Sequence, residues 1–98
     1  MTLLDLLDTT PSERFWRFHE ANPQVYSTLR RLSLDLVDRG HSRIGIGMLF
    51  EVIRWQIAMT TTDKEFKLNN NLRSRYARLL MKNEPRLAGV FETRELHQ

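Results

Sequence analysis

The sequence predicts an all-helical fold: a compact domain of four main helices around a central apolar helix at about residues 43–59. Three observations predict it. Proline, glycine and capping residues stand where helices begin and end, apolar residues recur at spacings of three and four, and residues 43–59 are apolar around most of the helical circumference. A chain of 98 residues can bury one core, so we expect a single domain over residues 1–98, with flexible ends at 1–9 and 95–98.

The first helix begins with a strong capping signal. Thr10 can cap it, Pro11 suits its first position, and Glu13 stands three residues after Thr10, as in a capping box. The helix is predicted to run to about Ala21. The leucines between residues 3 and 7 are expected to add a short helical turn that packs on the body of the domain.

The second helix repeats this pattern. Asn22 is predicted to cap it, Pro23 to begin it and Gly40 to end it in a left-handed conformation. Apolar residues at spacings of four, three and four predict its buried stripe, which consists of Val25, Leu29, Leu32 and Leu36.

The third helix is the most apolar segment of the chain, which predicts that other helices enclose it. Its remaining face is narrow and consists of Gly47, Glu51, Arg54 and Ala58. Glu51 and Arg54 are three residues apart and are expected to pair. The second and third helices, with Gly40 in the turn, resemble a helix-turn-helix. An enclosed helix cannot present polar side chains to base edges, so we do not expect the third helix to read DNA.

The fourth helix follows a break and a segment at about residues 65–68 that can form a short strand or an extended loop. It is predicted from about Asn70 to Lys82, with a buried face of Leu72, Tyr76, Leu79 and Leu80. The residues after it are expected to form a brief helical turn. Three apolar residues are expected to hold the tail on the core: Leu87, Val90 and Phe91.

Positive charge is concentrated late in the chain. The net charge is +3, and between residues 67 and 86 six basic residues stand against one acidic residue. On a helical wheel, three cations of the fourth helix fall within about 60° of one another, beside the buried face. This basic stripe consists of Arg75, Arg78 and Lys82.

The amino end of the fourth helix has the chemistry to bind nucleic acid. Backbone N–H groups there favour phosphate, asparagine can pair with adenine, and arginine can pair with guanine. The predicted binding residues are Asn70, Asn71, Arg75, Arg78 and Lys82, with Arg73, Lys67 and Arg43 as backbone contacts. Two other interpretations stay open: a solvated helix flank in which one asparagine is simply the cap, and a docking surface for an acidic protein.

Catalysis is not expected from this sequence. It has no cysteine, no pair of histidines at zinc-ligand spacing, no glycine-rich phosphate loop and no nucleophile motif. We therefore expect no enzyme activity, cofactor or metal. The apolar runs are too short to span a bilayer, so no membrane partner is expected. The aromatic residues are expected in the core, with Trp16 as the main candidate for exposure.

Four stretches carry a family resemblance: FWRFHEANPQVY, RGHSRIGIGMLFEVIRW, FKLNNNLRSRYARLLM and FETREL. They resemble a family of small uncharacterised proteins encoded by bacteriophages and prophages, over about residues 15–96. The resemblance implies a phage protein that acts in the bacterial cytoplasm, and it brings no activity, cofactor or binding residue. Phage proteins of this size are often DNA-binding regulators or inhibitors of host defence such as CRISPR effectors.

The function predicted first is non-catalytic binding of nucleic acid, with DNA favoured, through the basic fourth helix. The alternative is a small anti-CRISPR-like inhibitor that uses the same face to bind an acidic surface of a host defence complex. A structural phage component, which would form a stable higher oligomer, is a third hypothesis. A homodimer is also considered, because two-fold symmetry sets half-site spacing on DNA.

Overall fold

The computed structural model describes residues 10–62 and 66–92. Within them lie four α-helices: α1 (Pro11–Ala21), α2 (Pro23–Asp38), α3 (Ile46–Thr60) and α4 (Arg73–Asn83). Two 3-10 turns flank α4, at Asn70–Leu72 and Pro85–Leu87. The predicted all-α, four-helix class is confirmed. The predictions made for residues 1–9, for Glu65 and for residues 95–98 lie outside the described residues.

The predicted helix ends at Thr10 and Gly40 are confirmed. The Thr10 hydroxyl accepts a hydrogen bond from the backbone N–H of Glu13 at 3.1 Å, which satisfies one free donor in the first turn of α1. After α2, Gly40 has a φ of 98°. The N–H of His41 donates to the Leu36 carbonyl at 3.0 Å, and the N–H of Gly40 donates to that of Val37 at 2.9 Å. These two bonds form a Schellman motif, which needs the left-handed residue that glycine supplies.

The predicted role of Asn22 is wrong. Asn22 forms no side-chain cap for α2. Its side-chain Nδ2 instead donates to the carbonyl of Phe18 at 3.0 Å, and its backbone N–H donates to the same carbonyl at 2.9 Å. Asn22 is the only residue between the two helices, so its side chain serves the free carbonyls of α1, while the fixed φ of Pro23 begins α2.

The core centres on Tyr76 of α4, which is fully buried. The Tyr76 ring meets Phe15 of α1 at a centroid distance of 4.8 Å and Phe50 of α3 at 6.2 Å, both edge-on, an arrangement that aromatic rings favour. Leu80 is also fully buried, whereas Leu72 and Leu79 are half-buried. The predicted inner face of α4 therefore points inward as expected. The expected tail contacts are confirmed by three buried residues: Leu87, Val90 and Phe91.

The start of α3 lies later than predicted, at Ile46. Ile44 does not join the helix because it forms an isolated parallel β-bridge with Phe91. In that bridge the N–H of Ile44 donates to the carbonyl of Val90 at 3.0 Å. The bridge ties the residues before α3 to the segment after α4. Because α3 begins only at Ile46, Arg43 lies in the α2–α3 connection.

The expectation that α3 is enclosed by other helices is wrong. One face packs against α2 and α4 and buries Leu49, Phe50 and Ile53. The opposite face is open: the exposed fractions are 52% for Met48, 65% for Trp55 and 67% for Met59. The four described helices supply no element that covers this side of α3.

The connections around α3 further limit the predicted topology. The α2–α3 connection covers residues 39–45, which is longer than the three or four residues of a helix-turn-helix turn. The likeness to that motif is therefore limited to the order of the elements. Residues 66–68, the described part of the predicted extended segment, form no regular secondary structure. Leu68 within them is buried.

Candidate nucleic-acid interface

The amino end of α4 is built by three consecutive asparagines. The side-chain oxygen of Asn69 accepts a hydrogen bond from the N–H of Asn71 at 2.8 Å and so caps the 3-10 turn. The α-helix proper begins only at Arg73. The hypothesis that one asparagine acts as a cap therefore applies to Asn69, which leaves Asn70 and Asn71 to be placed.

Asn70 and Asn71 occupy different settings. The side-chain oxygen of Asn70 accepts a hydrogen bond from Arg54 of α3, so that oxygen is used within the fold. Arg54 also donates to the carbonyl of Leu68 at 2.6 Å and pairs with Glu51, as predicted. Arg54 thereby clamps the segment before α4 onto α3. Both asparagines are exposed, but Arg54 occupies the side-chain oxygen of Asn70 alone, so Asn71 is the better placed of the two to contact a ligand.

Arg73 lies across the start of α3. Its Nε donates to the carbonyl of Asn70 at 3.3 Å, and its guanidinium passes above Gly47, where a Cβ would approach the Nη1 atom to 3.0 Å. Glycine at this position therefore leaves the room that Arg73 occupies. Arg73 remains exposed at the amino end of α4, where phosphate is favoured electrostatically.

The basic stripe of α4 surrounds a shallow depression shared with α1. Arg75, Arg78 and Lys82 line it together with Trp16 of α1, and its volume is about 190 Å³. The Trp16 side chain is 46% exposed and rests edge-on against Phe15 at a centroid distance of 5.0 Å. An indole held by the core beside three cations forms a surface on which a base can stack while its phosphates are neutralised.

A second, more polar cleft continues this surface towards the amino end of α4. It has a volume of about 650 Å³ and is lined by Asn70, Asn71, Arg73 and Arg75, together with Arg14 of α1 and one acidic residue, Glu92. Arg75 lines both concavities, so they adjoin each other at this side chain. We call the two together the α1–α4 basic surface: Arg14, Trp16, Asn71, Arg73, Arg75, Arg78 and Lys82.

Arg14 was not among the predicted site residues. It lies about sixty residues before Arg75 in the chain, and only the packing of α1 beside α4 brings the two together. Trp16, in contrast, was the main candidate for exposure among the aromatic residues, and its exposure is confirmed. The expectation that Trp55 lies in the core is wrong, because its side chain is 65% exposed on α3.

Two predicted backbone contacts lie outside the α1–α4 basic surface. Lys67 lines a groove beside Ile57 and Phe66. Arg43 lines a separate depression formed with Val90 and Phe91. Both side chains are exposed, so their roles as backbone contacts stay predictions, without support from a shared site.

The charges of the basic surface are not neutralised by salt bridges from Arg75 or Lys82. In residues 10–62 and 66–92 these two side chains form no ion pair. The described ion pairs instead join Arg30 to Glu84, Arg54 to Glu51 and Arg86 to Asp38. Arg75 is half-buried and Lys82 is exposed, and because neither forms an ion pair with the described residues, both charges are available to an anionic ligand.

Two buried polar atoms have no hydrogen-bond partner among the described residues: the hydroxyl oxygen of Tyr76 and Nδ1 of His19. The two rings lie 5.9 Å apart within the aromatic core. Burial raises the pKa of Tyr76 from 10.0 to about 12, because desolvation disfavours the charged phenolate. The Tyr76 hydroxyl is therefore neutral at physiological pH and belongs to the packing of the core.

No group of histidine and carboxylate side chains in residues 10–62 and 66–92 is arranged to hold a metal ion. None of the described helices combines the length and the apolar character that crossing a membrane requires.

Comparisons of the chain with protein-family models, with curated proteins and with solved structures gave no match. The geometry and chemistry of the α1–α4 basic surface are therefore the basis on which a function is proposed.

Proposed function

We propose that this protein is a non-catalytic nucleic-acid-binding protein whose ligand lies along the α1–α4 basic surface. The observation that carries the proposal is the exposed indole of Trp16 beside Arg75, Arg78 and Lys82. Aromatic stacking combined with a cationic groove is the usual means by which proteins bind nucleic acid whose bases are accessible.

Some side chains of the surface contact the phosphate backbone of the ligand, and another contacts a base. Arg75, Arg78 and Lys82 neutralise successive phosphates, which positions the strand without reading its sequence. Trp16 offers an aromatic face to one base. At the other end, Asn71 and Arg73 add side-chain hydrogen-bond donors where the dipole of α4 favours phosphate.

A preference for single strands follows from this geometry. In a duplex the faces of the bases are stacked on one another and are closed to an indole. The ligand expected to bind most tightly is therefore single-stranded. The resemblance to bacteriophage proteins makes the bacterial cytoplasm the proposed setting and DNA the first ligand to test.

Fluorescence anisotropy over a salt series tests the proposal. The ligands are a labelled single-stranded DNA of mixed sequence, the matched duplex and an RNA of the same sequence. We expect the DNA strand to bind more tightly than the duplex, with an affinity that falls as salt increases by a slope of about 0.7 per neutralised phosphate. Equal and salt-independent binding of all three, or no binding at low salt, would contradict the proposal.

An acidic protein partner is the competing outcome for the same surface. Co-purification of the full chain from a bacterial host separates the two. Nuclease-sensitive material absorbing at 260 nm supports nucleic acid. A stoichiometric host protein that remains bound after nuclease treatment, and is released by charge reversal at Arg75 and Arg78, favours the inhibitor hypothesis instead.

A further inference from the structure

The outer face of α3 carries an apolar stripe with a regular spacing. Its residues recur at intervals of four, three and four and are Met48, Val52, Trp55 and Met59. Three of them are among the most exposed large apolar residues of the described chain, at 52%, 65% and 67% for Met48, Trp55 and Met59. Val52 between them is half-buried. We call this set the α3 stripe.

The spacing of the α3 stripe is that of a helix-pairing seam. Residues at alternating intervals of three and four fall within a narrow sector of the helix, as the a and d positions of a coiled coil do. The stripe covers about 16 Å along the helix axis, or three turns. The buried residues of α3 lie on the opposite side, at Leu49, Phe50 and Ile53. This seam is therefore additional to the contacts that fold the monomer.

The α3 stripe is complementary to itself when two copies of α3 run antiparallel. A two-fold axis between residues 53 and 54 sets Met48 of one copy opposite Met59 of the other. The same axis sets the large Trp55 opposite the smaller Val52, so that a large side chain packs against a small one in the two central layers. This isologous arrangement is the one that closed homodimers use.

The charges beside the stripe permit this pairing. Glu51 lies on one flank and is already paired with Arg54 within the chain. In the antiparallel arrangement the two Glu51 side chains lie on the same flank of the seam, offset by about 7.5 Å along the helix axis, and Arg54 of the same copy neutralises each of them. The stripe itself carries no charge, which gives an anionic ligand such as nucleic acid no attraction to it.

The area of the stripe suits a weak, reversible dimer. Four side chains of this size and exposure form a patch in the range of roughly 300–600 Å² that functional patches occupy. A standard interface buries roughly 800 Å² per partner. The flanking exposed residue Ala58 adds to the patch, and the total area stays at the low end of this range. We therefore expect a dissociation constant in the range of about 1–100 μM.

We propose that the protein forms a two-fold homodimer in solution through the α3 stripe, with the two α3 helices antiparallel. The proposal stands on the exposure, spacing and self-complementarity of the stripe, and it does not depend on the nucleic-acid function. If both proposals hold, the dimer presents two α1–α4 basic surfaces, which increases the avidity for a long strand.

Sedimentation equilibrium of the full chain from about 1 μM to 1 mM, a range set to bracket the expected constant, tests the proposal. We expect a monomer–dimer equilibrium that Trp55→Ala weakens at least about tenfold, which is typical of a central aromatic anchor. Trp16→Ala is the matched control, because it removes an exposed indole from a different surface. A chain that stays monomeric throughout, or a dimer that Trp55→Ala leaves unchanged, would overturn the proposal.

Met59→Glu provides a second variant that does not depend on how Trp55→Ala folds. Met59 is 67% exposed near the end of α3, so the change leaves the core intact, and helical circular dichroism verifies that the variant is folded. We expect Met59→Glu to be monomeric, because each interface would have to desolvate two carboxylates. A Met59→Glu variant that dimerises as tightly as the parent chain contradicts the proposed interface.

Disulfide cross-linking tests the direction of the helices. The sequence contains no cysteine, so Met48→Cys and Met59→Cys each introduce a single thiol. In the antiparallel dimer, oxidation of a mixture of the two variants is expected to give the mixed disulfide. Each variant alone is expected to cross-link poorly, because its two thiols are at opposite ends of the seam. Efficient cross-linking of each variant to itself would show a parallel pair and overturn the proposed register.

Discussion

The outer faces of α3 and α4 differ in chemistry although their inner faces meet in one core. α3 turns methionines and a tryptophan outward, and α4 turns Arg75, Arg78 and Lys82 outward. Both helices bury their inner residues around Tyr76. Burial in the core accounts for the residue types on the inner face of each helix only. The outward halves are not determined by folding, so their contrast is the part of the structure that points to two kinds of partner.

The largest effect is expected from reversing charge on α4. Arg75→Glu with Arg78→Glu removes two phosphate contacts and adds repulsion. We expect single-stranded DNA affinity at low salt to fall by at least about 100-fold and the salt slope to decrease by about 1.4. Anisotropy titration over a salt series measures both values.

The matched control for that variant is Arg31→Glu with Arg39→Glu. It makes the same change in net charge at two exposed positions within and just after α2, and it is expected to reduce affinity far less. If the two double variants lose affinity equally, net charge and not the α1–α4 basic surface determines binding. The double substitution in α4 is expected to leave self-association through α3 unchanged, which sedimentation equilibrium measures.

The clamp between the two helices is expected to contribute to stability. Arg54→Ala removes hydrogen bonds to the Leu68 carbonyl and to Asn70, so we expect the free energy of unfolding in urea to fall by about 2 kcal/mol. Arg30→Ala is the control, because the Arg30 side chain is more exposed than that of Arg54, at 48% against 31%, so the loss of its ion pair with Glu84 is expected to cost less than about 1 kcal/mol. Equal losses would show that Arg54 does not act as a clamp.

Replacing one indole at a time separates the two surfaces. Trp16→Ala is expected to weaken single-stranded DNA binding by about tenfold, in keeping with about 1–3 kcal/mol for one stacked base, and to leave self-association unchanged. Trp55→Ala is expected to weaken self-association and to leave unchanged the binding of a strand too short to reach both basic surfaces of a dimer. If both variants affect DNA binding equally, the assignment of different partners to the two faces fails.

The smallest effect is expected inside the core that both helices share. Tyr76→Phe removes a buried hydroxyl that has no partner among the described residues, so stability at pH 7 should change by less than about 1 kcal/mol. At alkaline pH the variants should diverge. The pKa of Tyr76 is about 12 when folded and 10.0 as its ordinary value, so the unfolded chain loses that proton first.

The sign of the Tyr76 effect follows from this order of proton loss. The contribution of Tyr76 to the free energy of unfolding is complete below about pH 10 and is lost as the pH rises towards 12. In that range the folded state holds more protons than the unfolded state, so a rise in pH favours unfolding. Chemical denaturation at pH 8 and pH 11 measures the difference. Tyr76→Phe should lose less stability between these two pH values than the parent chain, and an identical loss would contradict the raised pKa.

Local signals in the sequence predicted much of the fold. Thr10 and Gly40 marked helix ends because capping depends on a few neighbouring residues. The inner face of α4 was predictable because apolar spacing identifies a buried side. Asn22 was assigned to the wrong helix because an asparagine between two helices can serve either, and the choice depends on which backbone groups its side chain reaches.

The parts that the sequence did not predict depend on how the helices are arranged in space. An apolar pattern around α3 shows that many side chains favour burial, but it does not show how many neighbouring elements are present to bury them. The contribution of Arg14 to the basic surface was missed for a related reason, because no local pattern links α1 to α4. The predicted basic stripe does line one depression on the surface, and the nature of its ligand stays a prediction.

The two indoles, the only ones in the chain, lie on different surfaces. Trp16 rests against Phe15 beside the arginines of α4, and Trp55 lies on the outer face of α3. Replacing either one by phenylalanine leaves a chain with a single tryptophan, whose emission can be excited apart from that of the two tyrosines. Quenching and spectral shifts of that remaining emission would then show, without any attached dye, which side of the molecule an added ligand has covered.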